Sequence, residues 1–258
     1  MLSHRNRRRA LSGAVGLLAL ALVGCGGGTS LSKPFGTDPN DTNKERVFNA
    51  LVNAPSTAVD LAQRSITLNP SPIAFGQGTN YATVSSGIAI TTDAFQSGTM
   101  TTVAPQSSVT MTRGFFYTEV VAGIYGTSGV TAPRLIQFSD NFPASVASGS
   151  VALRLANLSP DSPPITLYNT TGAPPTAVSI TGLGNVAYGS VSGSGGSNYI
   201  TAAAGVYNLS VRDNAGNLLT SLGTVTLGGG HSYSVLVYGP VNPTAGQTGA
   251  RAVLLTDQ

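Results

Sequence analysis

The sequence predicts an all-β protein: two tandem β-sandwich domains behind a signal peptide and a flexible tether. Three observations carry this. The chain repeats itself. Strand signals recur about every ten residues, punctuated by Gly, Pro and Asn. Outside the leader, no stretch longer than a turn or two carries the 3.6-residue apolar period of a helix. Helix-free units of about 100 residues, built from many short strands, point to immunoglobulin-like sandwiches.

The repeat sets the domain plan. Asn80-Tyr81 recurs as Asn198-Tyr199, and Ile73-Ala74-Phe75-Gly76 as Val186-Ala187-Tyr188-Gly189. Val109-Thr110-Met111 recurs as Val225-Thr226-Leu227, and Phe116-Tyr117 as Ser232-Tyr233. Val120–Gly123 matches Leu236–Gly239, and Arg134–Asp140 matches Arg251–Asp257. The spacing barely drifts across these pairs, and a chance tetrapeptide match would not hold register. Near the start Asn53 is paired with Asn157 at a closer spacing, so the second copy gains residues, placed in Thr170–Pro175 and Ser192–Ser197. The plan is a signal peptide over 1–24, a lipidated cysteine and tether over 25–44, a first sandwich over 45–143, a linker over 144–150 and a second sandwich over 151–258.

The leader opens with Arg5, Arg7, Arg8 and Arg9, followed by the apolar run Leu11–Val23. A basic head and a short apolar stretch make an export signal, too short for a stop-transfer helix. It ends in Leu22-Val23-Gly24-Cys25. This resembles the lipobox of bacterial lipoproteins, in which a diacylglyceryl group is attached to the cysteine thiol and the signal is cut just before it. The resemblance implies that Cys25, the single cysteine, becomes the lipidated first residue and holds the protein to a membrane. Gly26 stands where an aspartate would favour inner-membrane retention, so the expected address is the cell envelope, with the outer membrane preferred.

Composition excludes some functions once the leader is set aside. The chain carries 13 Lys+Arg and 10 Asp+Glu, a net charge of +3. Removing the four leader arginines leaves −1, so the basic balance belongs to the signal. No basic run remains to neutralise a phosphate backbone, and nucleic acid is not expected as a partner. Charged residues make up only 9% of the chain, against about 25% in ordinary soluble domains. The surface is therefore expected to be Ser, Thr, Asn, Gln and Gly. One cysteine permits no internal disulfide, so cores alone must hold each unit. Gly26 to about Lys44 has no periodicity and many breakers, and reads as a tether spanning roughly 25 Å.

Within the second unit Val151, Leu153 and Leu155 alternate with Ala152, Arg154 and Ala156, and Val206–Arg212 alternates too. Asp213–Asn217 reads as a tight turn, and Gly228–His231 as a hairpin connection. The loop and strand Leu158–Tyr168, the step Val186-Ala187-Tyr188-Gly189 and the turn Ala203-Ala204-Gly205-Val206-Tyr207 together resemble the bacterial domain-of-unknown-function family 4397. The resemblance runs from about Glu45 to the end, as two copies. It implies an exported, often lipid-anchored sandwich and supplies no active site. The first copy has Asn53–Ala58 where the second has Ser159-Pro160-Asp161-Ser162-Pro163, and lacks the aspartate.

A search for catalytic groups yields little. After the leader His231 is the single histidine, which argues against a histidine triad or a multi-histidine zinc site. Gly182-Leu183-Gly184-Asn185-Val186-Ala187 fits a dinucleotide fingerprint by letter. That fingerprint needs a helix starting at its glycines, and here a strand and a Gly/Ser loop come next instead. Asp140 and Asp257 end matching strands and read as turn or cap residues, one carboxylate per unit being too few for a dedicated calcium site. Tyr81/Tyr199 and Tyr117/Tyr233 recur and read as core rings with bonded hydroxyls. Tyr125, Tyr168 and Tyr207 are not shared between the copies.

The expected function is a non-enzymatic, lipid-anchored envelope protein presenting sandwich modules to a protein or polysaccharide. A passive spacer and a polymer hydrolase are the alternatives. No cofactor, metal or catalytic residue is expected. The candidate binding positions are Asp161 and Tyr168 in the second unit and Tyr125 in the first, since loops on a rigid β-framework carry binding.

Overall fold

The computed structural model describes residues 42–54, 58–63, 66–67, 72–85, 89–171, 176–193 and 198–258. The expected signal, Cys25 and nearly all of the expected tether lie outside the described residues, as do 172–175 and 194–197 of the two loops expected to carry the extra residues. The described chain is almost entirely strand. Its first half holds β1 (Thr42–Val52), β2 (Ala58–Gln63), β3 (Ile66–Thr67), β4 (Ile73–Ala74), β5 (Ala82–Ser85), β6 (Ala89–Gln96), β7 (Thr102–Thr110), β8 (Phe116–Ile124) and β9 (Arg134–Ser139). The second holds β10 (Ser150–Leu158), β11 (Ile165–Thr171), β12 (Thr176–Ser179), β13 (Ser190–Val191), β14 (Ile200–Ala203), β15 (Gly205–Asp213), β16 (Leu218–Leu227), β17 (Ser232–Tyr238) and β18 (Arg251–Thr256). One 3-10 turn, Gly129–Thr131, is the only helical segment among the described residues.

The strand plan of the first half recurs in the second. The sheet ordered β5-β1-β8-β9 has β14-β10-β17-β18 as its counterpart, with β13 also paired to β10; the sheet β3-β2-β6-β7, with β4 also paired to β2, has β12-β11-β15-β16. In each half the first strand runs parallel to the strand before the last: Phe48 sits beside Val120 in one and Ala156 beside Leu236 in the other. All the remaining strand pairs are antiparallel. Among the described residues, no strand of one half is hydrogen-bonded into a sheet of the other.

Three large apolar cores among the described residues follow from side-chain alternation. Val47, Leu51 and Val121 meet Val59, Leu61, Ala94 and Val103 inside the first half. Val151, Leu153, Leu155, Val235 and Val237 meet Ile165, Leu167, Leu209 and Val211 inside the second. The intervening residues of the same strands build a third core between the halves: Phe48, Ala50, Val120, Ala122 and Phe138 pack on Ala156, Leu158, Leu236 and Tyr238. Strands β8, β10, β17 and β1 from Glu45 onward are therefore buried on both faces, and Val47–Val52 and Val151–Leu158 read as largely apolar runs.

A strand asparagine corrects the sequence alignment. Asn49 Nδ2 donates to the Ile73 carbonyl at 2.8 Å, and Asn157 Nδ2 to the Val186 carbonyl at 3.0 Å. Their backbone carbonyls accept from Gly76 and Gly189 at 2.7 and 2.8 Å. Asn157 therefore corresponds to Asn49, not Asn53. Asn53 instead takes a turn with φ 56°, a left-handed conformation that asparagine tolerates. At Gly76 the φ is +76°, and an added Cβ would lie 2.5 Å from the Tyr238 hydroxyl oxygen across the third core. Glycine is required there on both counts.

Candidate functional site

Four ionised side chains meet in the third core. Strand alternation turns Arg46, beside Phe48 and Ala50 on β1, toward the other half, and Arg154 on β10 likewise. Arg46 Nη2 lies 2.7 Å from Asp257 Oδ1, and Arg154 Nη1 lies 2.6 Å from Asp140 Oδ1. Both ion pairs join one half to the other, and all four side chains are buried. Each arginine Nε also donates within its own half: Arg46 to Thr118 Oγ1 at 2.8 Å, and Arg154 to Ser234 Oγ at 2.6 Å. Those hydroxyls donate onward to Asp140 Oδ2 and Asp257 Oδ2, each at 2.6 Å. Longer crossed bonds of 3.4 Å run from Arg46 to Ser234 and from Arg154 to Thr118.

Tyrosines cover the charges. The Tyr81 hydroxyl donates to Asp140 Oδ2 at 2.6 Å and that of Tyr199 to Asp257 Oδ2 at 2.8 Å. The Arg46 guanidinium carbon stands 4.8 Å from the Tyr81 ring centroid, and that of Arg154 4.9 Å from Tyr199. Phe142, in the connection between the halves, touches Tyr81, Phe116 and Tyr199 edge-on or tilted. Burial alone would lower the Arg154 guanidinium. The nearby Asp140, Tyr199 and Asp257 outweigh it and raise its pKa. Burial, reinforced by the Asp140 charge, raises the Tyr81 phenol. Burial raises that of Tyr199 too, although Arg154 opposes it. The arrangement holds the halves together. It offers no carboxylate to solvent for acid–base work.

A second buried polar group lies inside the first half only. Glu119 shares a side-chain hydrogen bond with Glu45 and accepts one from Thr92 Oγ1 at 3.2 Å. Burial raises the Glu119 carboxyl above the usual range, and the two hydrogen bonds offset part of this. The register match of Tyr117 with Tyr233 places Val235 at the corresponding point of the second half.

The residues singled out from sequence are dispersed over the fold. Leu22, Val23, Gly24 and Cys25 are outside the described residues. Asp161 accepts backbone bonds from Val241 at 2.7 Å and Asn242 at 3.0 Å, so it pins the loop after β17. Tyr125 is half-buried and packs against the first core. Tyr168 stands on the outward side of β11, between the inward Leu167 and the inserted loop. The Arg212 guanidinium carbon is 5.7 Å from its ring. Tyr207 is turned inward and bonds Ala203. His231 is exposed, its Nδ1 3.0 Å from the Gln258 carbonyl. Tyr117 and Tyr233 are buried, their hydroxyls accepting from Thr112 and Gly228 backbone amides. A cleft of about 540 Å³ has Asp140 in its lining, together with Phe115, Phe116, Phe142 and Gln258.

The set Arg46–Tyr81–Thr118–Asp140 and its linkage to Arg154 all fall in one stretch of chain that has a known likeness. Residues 45–168 match the family model described as Domain of unknown function (DUF4397). No curated protein matches the chain. The DUF4397 match runs from β1 through the connection between the halves and into β11, ending at Tyr168. It thus contains the Arg154–Asp140 pair complete, and Arg46 without its partner Asp257. No motif marks the two arginines. Their one signal in the sequence is a cation next to an apolar stretch of strand, Arg154 alone in β10 and Arg46 beside Lys44 and Glu45 in β1, in a chain with only 9% charged residues.

Proposed function

We propose that the protein is a non-enzymatic, lipid-anchored envelope protein made of two copies of one sandwich unit, and that it binds a polysaccharide on the second copy. The observation that carries this reading is the outward face of β11, β15 and β16. There Tyr168 lies against Arg212, with Asn208, Thr224, Thr226 and the 68%-exposed Val206 on the same surface. An aromatic ring braced by a cation and flanked by hydroxyls and amides suits a sugar, which has an apolar ring face and a polar rim. The first half differs at this place. Leu61 opposite Ala94 corresponds to Leu167 opposite Val211, which puts Ala62 where Tyr168 stands and Phe95 where Arg212 stands.

The anchoring part of the reading rests on Leu22–Cys25 and the tether. Its non-enzymatic part is supported by the four interior charges, whose buried side chains are paired with one another. The test is retention of the chain on immobilised envelope polysaccharides, comparing wild type with Tyr168→Ala and Arg212→Ala. Selective loss in these variants supports the reading. Equal retention by all three forms sinks it, and retention by none favours a spacer.

A further inference from the structure

We infer that the buried face of each half is self-complementary, and that two chains can pair through it by exchanging halves. Each half brings the same groups on corresponding strands: an arginine from the first strand (Arg46, Arg154), a hydroxyl from its parallel neighbour (Thr118, Ser234), an aspartate after the last strand (Asp140, Asp257) and a tyrosine over them (Tyr81, Tyr199). The arginine of each meets the aspartate of the other. A face that presents residue i to j and j to i is isologous, the geometry of a two-fold dimer. Here it is built within one chain.

Two further observations make exchange feasible. The halves share no sheet among the described residues, so separating them breaks side-chain contacts and few backbone bonds. One stretch, 141–149, connects them. A half without a partner would expose Phe48, Val120, Ala122 and Phe138, or Leu158, Leu236 and Tyr238. Such an apolar patch, with the charged groups of the same strands beside it, seeks the matching face. The partner is a second copy of this chain: residues 42–140 of one seated on residues 150–258 of the other, and the reverse.

The test uses two full-length variants. Arg46→Glu puts like charge against Asp257, and Asp257→Arg puts like charge against Arg46. Each is expected to be destabilised alone. In an exchanged heterodimer one interface joins the two substituted sites with charges reversed, and the other is wild type. Mixing the two chains in denaturant and refolding them together should therefore give a 1:1 species of twice the chain mass by light scattering, with recovered melting temperature. Recovery of only the separate, destabilised chains overturns the proposal. So does wild-type stability in either single variant, because the pair would then not hold the faces. Deleting 144–149 in the otherwise wild-type chain is an independent check: exchange predicts a shift to the dimer, and a folded monomer that stays monomeric at high concentration refutes it.

Discussion

Arg154 Nη1 lies 2.6 Å from Asp140 Oδ1, with both side chains fully shut off from solvent. The two residues are close in sequence yet belong to opposite halves. Removing charges from water is costly, and the pair is tolerated because Ser234, Thr118 and Tyr81 satisfy the remaining donors and acceptors. Breaking one side should therefore hurt more than removing both. Arg154→Met is expected to cost about 3–5 kcal/mol, because it leaves a buried aspartate uncompensated. Arg154→Met combined with Asp140→Leu should recover a large part of that loss. Urea unfolding of the four forms of the double-mutant cycle measures this, and additive losses would contradict it.

The tyrosine hydroxyls give a second expectation. Tyr81→Phe and Tyr199→Phe each strip a hydrogen bond from an aspartate oxygen and should cost about 1–3 kcal/mol. Both phenols are raised by burial. A raised group contributes stability that is intact below its unfolded value, about 10 for tyrosine, and is lost as pH climbs toward the folded value. Wild type should therefore lose melting temperature above about pH 10, and the double Phe variant should show a shallower decline.

Glu119 predicts a separate pH effect at the other end of the scale. Its carboxyl is raised above 4.5 chiefly by burial. Stability from this group is complete below 4.5 and falls as pH rises through the folded value, since folding then buries a charge. Glu119→Gln should flatten melting temperature against pH above 4.5. A variant whose profile tracks wild type would show that the carboxyl does not titrate in that window.

Gly76 offers a purely steric test. Gly76→Ala combines a left-handed φ with a Cβ 2.5 Å from the Tyr238 hydroxyl. The expected loss is about 1–3 kcal/mol, partly relieved by Tyr238→Phe, which removes the nearest atom. Thermal melts of the single and double variants decide it.

The anchor proposal has its own measurement. Cys25→Ser should release the chain from envelope membranes without detergent. Unchanged membrane fractionation would remove the case for lipidation.

Much of the strand plan is legible in the sequence because alternation and turn residues act locally. Tyr81 and Tyr199 are readable as rings with bonded hydroxyls, since recurrence at one place in a repeat marks a packed site. Asp140 and Asp257 are readable as equivalent, but only as turn residues. Their partners lie in the other half, and no local period encodes a contact across a third core. Strands such as Val151–Leu158 look the same whether one face or both are covered, so the surface between the halves leaves no pattern beyond Arg46 and Arg154. Asn53 misleads the alignment because a turn asparagine and a strand asparagine are the same letter.

Strand β1 begins at Thr42, where the segment from Cys25 ends, and lies at the middle of its sheet rather than at the edge. A pull on that segment would load β1 lengthwise against the parallel β8, over nine residue pairs from Lys44–Phe116 to Val52–Ile124. Slanted bonds strained along the strand direction share the load together instead of opening one after another. Under the proposed anchor at Cys25 a pull would enter the fold through β1, and resistance to shear is a mechanical property that a single-molecule stretching curve would display.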